Sequence, residues 1–134
     1  MAEKSEFYFT KSNNINARTG PETFYKVKMI YKKKYLLLKL LHQSDDWYHV
    51  EDIEGESGWI HKNYLMKQKK KQFVSIANKN GIFCYKKADE NSKIAFHSDY
   101  LVNFELKKCE KEFCLLHKNK ISGWCRRSEL WGLD

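Results

Sequence analysis

Apolar residues in this chain come in short runs broken by polar turns. The clearest case is Asp46 to Leu65, which reads DWYHVEDIEGESGWIHKNYL. Trp47-Tyr48-His49-Val50 has strand character, Glu54-Gly55-Glu56-Ser57 is a polar turn, and Gly58-Trp59-Ile60 opens a second run that ends at Leu65. Two such segments around a turn containing Gly predict a hairpin. A degenerate copy lies 65–66 residues further on: Phe113-Cys114-Leu115-Leu116, a Lys118-Asn119-Lys120 turn, then Gly123-Trp124-Cys125 and Leu130. A repeated hairpin implies a repeated unit.

The rest of the chain fits two copies of one plan. Phe7 to Thr10 reads as a leading strand or ordered arm, and Lys11 to Asn14 as a polar loop. Ile15 and Ala17 alternate with polar neighbours, as a half-buried strand requires. Gly20-Pro21 ends that strand, because proline cannot donate to a ladder. Phe24, Tyr25, Val27 and Ile30 fall at mixed spacing, which suggests an irregular loop packing back on the core. Lys32-Lys33-Lys34 reads as a turn, Tyr35 to Leu41 as a central strand, and His42 to Asp45 as a polar turn. In the second half, Ile82 and Cys84 take the place of Ile15 and Ala17, and Leu101 to Leu106 that of Tyr35 to Leu41. Periodicity supports no helix beyond single 3₁₀ turns at Lys62-Asn63-Tyr64 and Arg127-Ser128-Glu129. The expected class is all-β: a first domain over residues 7–66, a basic linker at 67–72, and a divergent second domain over 73–134. Units of about sixty residues are near the lower limit of independent folding.

Composition narrows the picture. The net charge is +8, with much of the excess in Lys32–Lys34 and Lys67–Lys71, so polyanions are candidate partners. No window approaches the length of apolar chain that spans a membrane. The N-terminal Met1-Ala2-Glu3-Lys4-Ser5 is polar and lacks the apolar region of a secretory signal, so export would require a leader already removed. The cysteines, Cys84, Cys109, Cys114 and Cys125, form no pair of CxxC motifs, and no His lies at zinc-finger spacing from them. No metal and no cofactor is expected. Four cysteines allow three connectivities, and spacing alone does not choose. Catalysis is not expected either: no cysteine has a local nucleophile motif, and there is no H-E-x-x-H pattern or Gly-rich phosphate loop.

Three motifs resemble a known family. Ile15-Asn16-Ala17-Arg18-Thr19-Gly20-Pro21 resembles the N-V-R-S-G-P opening of bacterial SH3-like (SH3b) domains. Asp46-Trp47-Tyr48-His49-Val50 resembles their D-W-x-x-V strand, and Gly58 to Leu65 their G-W-V-x-x-x-x-L ending. Residues 73–134 resemble the second unit of tandem proteins of this kind, through Cys109, Cys114 and Leu130-Trp131-Gly132. They depart from it with Phe113 in place of Trp47 and Lys87-Ala88 in place of Gly20-Pro21. The resemblance implies two SH3-like, partly open β-barrels in tandem that bind rather than catalyse, in the cell envelope, periplasmic or secreted.

Carried over residue by residue, the resemblance puts Trp47 and Tyr64 on the sides of a groove with His61 between them, and Phe24 and Tyr25 on its other wall. Such a groove suits a peptide, peptidoglycan or an acidic wall polymer, with anionic ligands favoured. Phe113, Arg126 and Glu129 take the corresponding places in the second unit, whose groove would be charged and less aromatic. Trp59 and Trp124 read as scaffold. Cys109 and Cys114 bracket the Glu110-Lys111-Glu112 turn and are the first choice for a disulfide in an oxidising compartment. Cys84 aligns with Ala17 and Cys125 with Ile60, as buried thiols or as a second bridge. The alternatives in other classes are a nucleic-acid binder using the basic runs and a structural adaptor for a protein partner.

Overall fold

The computed structural model describes residues 4–133. The chain divides into two compact units, the first ending at Gln68 and the second covering Lys69–Leu133. The first contains β1 (Phe7–Thr10), β2 (Ile15–Arg18), β3 (Val27–Tyr31), β4 (Leu37–Ser44), β5 (Trp47–Glu51), β6 (Ser57–His61) and β7 (Leu65–Lys67). The second contains β8 (Phe73–Ile76), β9 (Ile82–Tyr85), β10 (Ile94–Ser98), β11 (Asn103–Glu110), β12 (Phe113–Lys118), β13 (Ile121–Arg126) and β14 (Leu130–Trp131). Single 3₁₀ turns at Lys62–Tyr64 and Arg127–Glu129 precede the last strand of each unit. The fold is all-β, with two separate seven-stranded sheets.

The two sheets share one topology. The first is ordered β3-β2-β6-β5-β4-β1-β7, and the second repeats that order as β10-β9-β13-β12-β11-β8-β14. Each curls around its own core as a partly open barrel. Tyr8, Ile15, Ala17, Tyr31, Leu38, Val50, Ile60 and Leu65 fill the first. Val74, Ile76, Ile82, Cys84, Phe104, Cys114, Leu116 and Cys125 fill the second. Each fully buried aliphatic side chain contributes about 1.5–3 kcal/mol of transfer free energy, and that offsets the ordering entropy of so short a chain.

The hairpin at Asp46–Leu65 forms as its pattern predicts, with Trp47 opposite His61 and Glu51 opposite Ser57. Gly55 takes φ +85°, and the Asp52 carboxylate accepts from the amides of Glu54 and Glu56 at 2.9 and 3.0 Å, which closes the turn. Gly58 is required by close approach, since a Cβ there would lie 2.9 Å from the Ala17 Cβ.

The central strand differs from its expectation at both ends. Tyr35 has φ +67° and Leu101, its counterpart, +68°, a left-handed backbone that cannot continue a strand. Tyr35 donates its amide to the Thr10 carbonyl at 2.9 Å, and the strand starts only at Leu37. At the other end the strand runs through His42, Gln43 and Ser44, so the polar turn shrinks to Asp45-Asp46. A bulge between Leu40 and His42 places Leu41 outside, and an equivalent bulge lies between Leu106 and Lys108. Such bulges raise local twist and help a short sheet curl. Val27 to Tyr31 is also a strand, where an irregular loop was expected. It pairs with Ile15–Arg18, and the irregular segment is confined to residues 19–26.

Candidate functional site

A cavity of about 410 Å³ opens on the first unit, lined by Trp47, His61 and Tyr64 together with Asn14, Ile15, Asn16, Arg18, Thr23 and Asn63. Local sequence explains how each side chain reaches it. Trp47 starts β5 directly after the Asp45-Asp46 turn and faces His61 at the end of β6. The two rings meet edge to face, with centroids 5.3 Å apart and planes at 82°. His61 then caps the 3₁₀ turn: its Nδ1 accepts from the Asn63 amide at 3.1 Å, which places the proton of the neutral ring on Nε2. That turn swings Tyr64 round to the His61 ring, 6.3 Å away at 77°. Trp47 is 7% exposed and forms the floor, whereas Tyr64 is 53% exposed and stands on the rim.

The opposite wall comes from β2 and the loop after it. Ile15 and Ala17 point into the core, so the alternation of the strand turns Asn16 outward. Arg18 donates through Nη1 to the Thr23 carbonyl at 2.9 Å and the Tyr25 carbonyl at 3.0 Å, and pins the loop from within. The Tyr25 ring covers Gly20, where a Cβ would come within 2.6 Å of three ring atoms. The cavity therefore has aromatic sides and a polar wall of asparagines and one guanidinium. Its lining residues include no Asp or Glu. At one edge the Lys62 ammonium meets the Asp46 carboxylate at 3.0 Å, and this hydrogen bond raises the lysine pKa above its ordinary value.

Of the five residues expected at the groove, Trp47, His61 and Tyr64 come together. Phe24 and Tyr25 stack on each other at 4.6 Å on the loop, and Thr23 lines the cavity in their place. Phe24 is 79% exposed at the loop tip. Asn14, Asn16, Arg18 and Asn63 were not singled out from sequence, although Asn16 and Arg18 lie inside the Ile15–Pro21 motif. The outward half of that alternation was the available signal.

The corresponding place in the second unit is occupied by its own side chains. Phe113 stands where Trp47 stands, with the Arg126 guanidinium 5.2 Å from its ring centroid. Arg126 is ion-paired with Glu90, on the loop after β9, and Tyr85 packs edge-on against Phe113 at 6.4 Å. Of the residues expected at this position, Phe113 and Arg126 come together, and Glu90 and Tyr85 join them.

Trp59 and Trp124 are not core residues. Each lies between a buried Gly and a buried Ile or Cys, so alternation turns it to the outer face of its sheet. Trp59 stacks on His49 at 4.9 Å and 13° and meets the edge of His42 at 6.0 Å, while the Lys108 ammonium lies 5.6 Å from the Trp124 ring. Desolvation first, then Lys28 and His42, lowers the His49 pKa below the usual imidazole value.

All four cysteines are bridged. Cys109 pairs with Cys114 across the β11–β12 turn, and Cys84 pairs with Cys125 at a Cα separation of 4.6 Å. The second bridge, left open by the sequence, follows from the pairing of β9 with β13. Of the lysines in the basic runs, Lys67 pairs with Glu6 at 3.3 Å and Lys71 with Glu105 at 3.9 Å.

No curated protein matches this chain. Among solved structures, NlpC2 from Trichomonas vaginalis aligns with a TM-score of 0.42 at 12% identity, over 97% of this chain and 49% of that one. NlpC1 from the same organism aligns with a TM-score of 0.40 at 11% identity, over 97% of this chain and 46% of that one. The chain thus spans about half the length of either structure. Residues 11–67, which contain every residue lining the cavity, match the family described as the bacterial SH3 domain.

Proposed function

We propose that the first unit is a non-catalytic binding module of the bacterial cell envelope, which takes a peptide, peptidoglycan or an acidic wall polymer into the Trp47–His61–Tyr64 cavity. The observation that carries this reading is the chemistry of the cavity walls: aromatic rings on one side, donors from Arg18 and the asparagines on the other, and no carboxylate among the lining residues. Rings supply apolar area to an extended ligand, and an unopposed guanidinium favours a carboxylate or phosphate on it. The stacked Phe24–Tyr25 pair follows Thr23 on the loop of the opposite wall, outside the cavity lining, and offers a longer ligand further aromatic area there. The match of residues 11–67 to a bacterial SH3 domain supports a binding role. Two disulfides support an oxidising, extracytoplasmic location.

The test is a titration of isotope-labelled protein with soluble peptidoglycan fragments, with a neutral chitooligosaccharide and a generic oligonucleotide in parallel. The expected result is chemical-shift change confined to the Trp47 indole, Asn16, Arg18, Asn63 and Tyr64. Tyr64→Ala, a change at an exposed position, should weaken binding about tenfold or more, as loss of an aromatic contact does. Shifts gathered on the lysine runs, with steep salt dependence on the oligonucleotide, would move the protein to nucleic-acid binding. Unchanged affinity in folded Tyr64→Ala would remove the cavity from the reading.

A further inference from the structure

The four cysteines of the second unit lie in one row across four adjacent strands. Cys109 on β11 is the direct partner of Cys114 on β12, and Cys114 is also the direct partner of Cys125 on β13. One step beyond the Trp124–Tyr85 pairing, Cys125 meets Cys84 on β9. Residues directly opposite on antiparallel strands share a face, with Cβ atoms about 4.5–5.5 Å apart. The row Cys84–Cys125–Cys114–Cys109 thus holds two disulfides end to end, and the two inner cysteines, each bridged outward, face each other. Cys84, Cys114 and Cys125 are fully buried, and Cys109 alone is partly exposed beside the Lys111-Glu112 turn.

We propose that this row is a thiol–disulfide exchange relay, entered at Cys109 by an external thiolate and ending in release of Cys84. In the first step the external sulfur bonds to Cys109 Sγ, the Cys109–Cys114 bond breaks, and the electron pair passes to Cys114 Sγ. A thiolate in that apolar setting is unstable, and an acceptor disulfide lies directly opposite. Cys114 Sγ then bonds to Cys125 Sγ, the Cys84–Cys125 bond breaks, and Cys84 leaves as a thiolate that takes a proton from water. Two disulfides and one thiolate are present before and after, so no net oxidant or reductant is consumed. Protonated Cys84 stays in the core as a small hydrophobe.

The exchange moves a covalent tie. β9 joins β13 through the single ladder pair Tyr85–Trp124 and the Cys84–Cys125 bridge. After exchange the bridge links β13 to β12, and the β9–β10 ribbon loses its covalent anchor. That ribbon carries the loop with Glu90, the partner of Arg126 above Phe113. The relay therefore couples thiol chemistry at an exposed turn to the hold of this ribbon on the barrel.

The experiment treats the folded, full-length, oxidised protein with a small excess of reduced glutathione at mildly alkaline pH. Acid quenching, alkylation and peptide mapping by mass spectrometry follow. The expected product has glutathione on Cys109, a Cys114–Cys125 linked peptide pair and an alkylated Cys84, with loss of amide-exchange protection through Ile82–Ser98. Glutathione on Cys109 with alkylated Cys114 and an intact Cys84–Cys125 pair would overturn the relay, and so would absence of reaction in the folded protein. The Cys109→Ser variant gives an independent reading, because its free Cys114 should share the unpaired thiol with Cys84. Label confined to Cys114 in that variant would also overturn it.

Discussion

Trp47 and His61 face each other from β5 and β6, and their rings meet nearly at right angles with centroids 5.3 Å apart. One imidazole thus braces the cavity floor with its ring and caps the following 3₁₀ turn through Nδ1. Replacing His61 by Ala removes both contacts. We expect a stability loss of about 1 kcal/mol, the scale of one edge-to-face ring pair, read by urea denaturation. Tyr64, which the capped turn positions, should become more mobile, and its ring resonances should broaden or move. Unchanged Tyr64 signals would show that the turn holds without its cap.

Arg18 is the internal tether of the loop beside the cavity. Its two hydrogen bonds go to the carbonyls of Thr23 and Tyr25, and a glutamine cannot span both from one planar amide. Arg18→Gln should cost about 1 kcal/mol, since these are charge-assisted but partly solvated bonds. Amide exchange should speed up at Tyr25 and Lys26 while the core strands stay protected. A uniform change over the whole unit would place the effect in global stability and not in the loop.

Gly58 is a packing requirement. An added Cβ would lie 2.9 Å from the Ala17 Cβ, where β6 pairs with β2. Gly58→Ala should destabilise by about 1–3 kcal/mol, the range for overpacking. Adding Ala17→Gly should recover part of that loss, because it removes the atom that clashes. Two independent, additive penalties in a double-mutant cycle would contradict this explanation.

His49 sets a pH dependence for the first unit. Burial against Trp59, with Lys28 and His42 near by, lowers its folded-state pKa below the unfolded value of 6.5. The unfolded chain then binds more protons in the window just below that value. The contribution of neutral His49 is full above pH 6.5 and is lost as pH falls through the folded-state pKa. Denaturation midpoints should therefore drop on mild acidification, and His49→Gln should flatten that part of the profile. An equal slope in the variant would assign the dependence to other groups.

Much of the fold was legible in the chain because strands write their pattern locally. The hairpin between Trp47 and His61 could be read from alternation around a turn with Gly55. Its copy between Phe113 and Arg126 marked the repeat. Tyr35 to Leu41 was less legible, because its apolar run continues through a residue with φ +67° at one end and a bulge at the other. Hydropathy carries no signal for either. Trp59 and Trp124 were read as scaffold without a face assigned to them, although the place of each between two buried residues already turned it to the outer side of its sheet.

The candidate site divides in the same way. Trp47, His61 and Tyr64 lie within one hairpin and its closing turn, so a local motif could bring them together. Asn16 and Arg18 reach them only because β2 pairs with β6, a contact between segments distant in sequence. Sequence by itself determined the class of fold and the repeat, which follow from periods and turns within a few residues, while the aromatic side of the cavity was expected from the resemblance of those motifs to bacterial SH3-like domains. The tertiary structure decided the polar wall, the Glu90–Arg126 pair over Phe113, and the alignment of four cysteines in one row. Those depend on which strands become neighbours and in which register, and hydrogen-bond pairing across the sheet sets that, not any local preference of the chain.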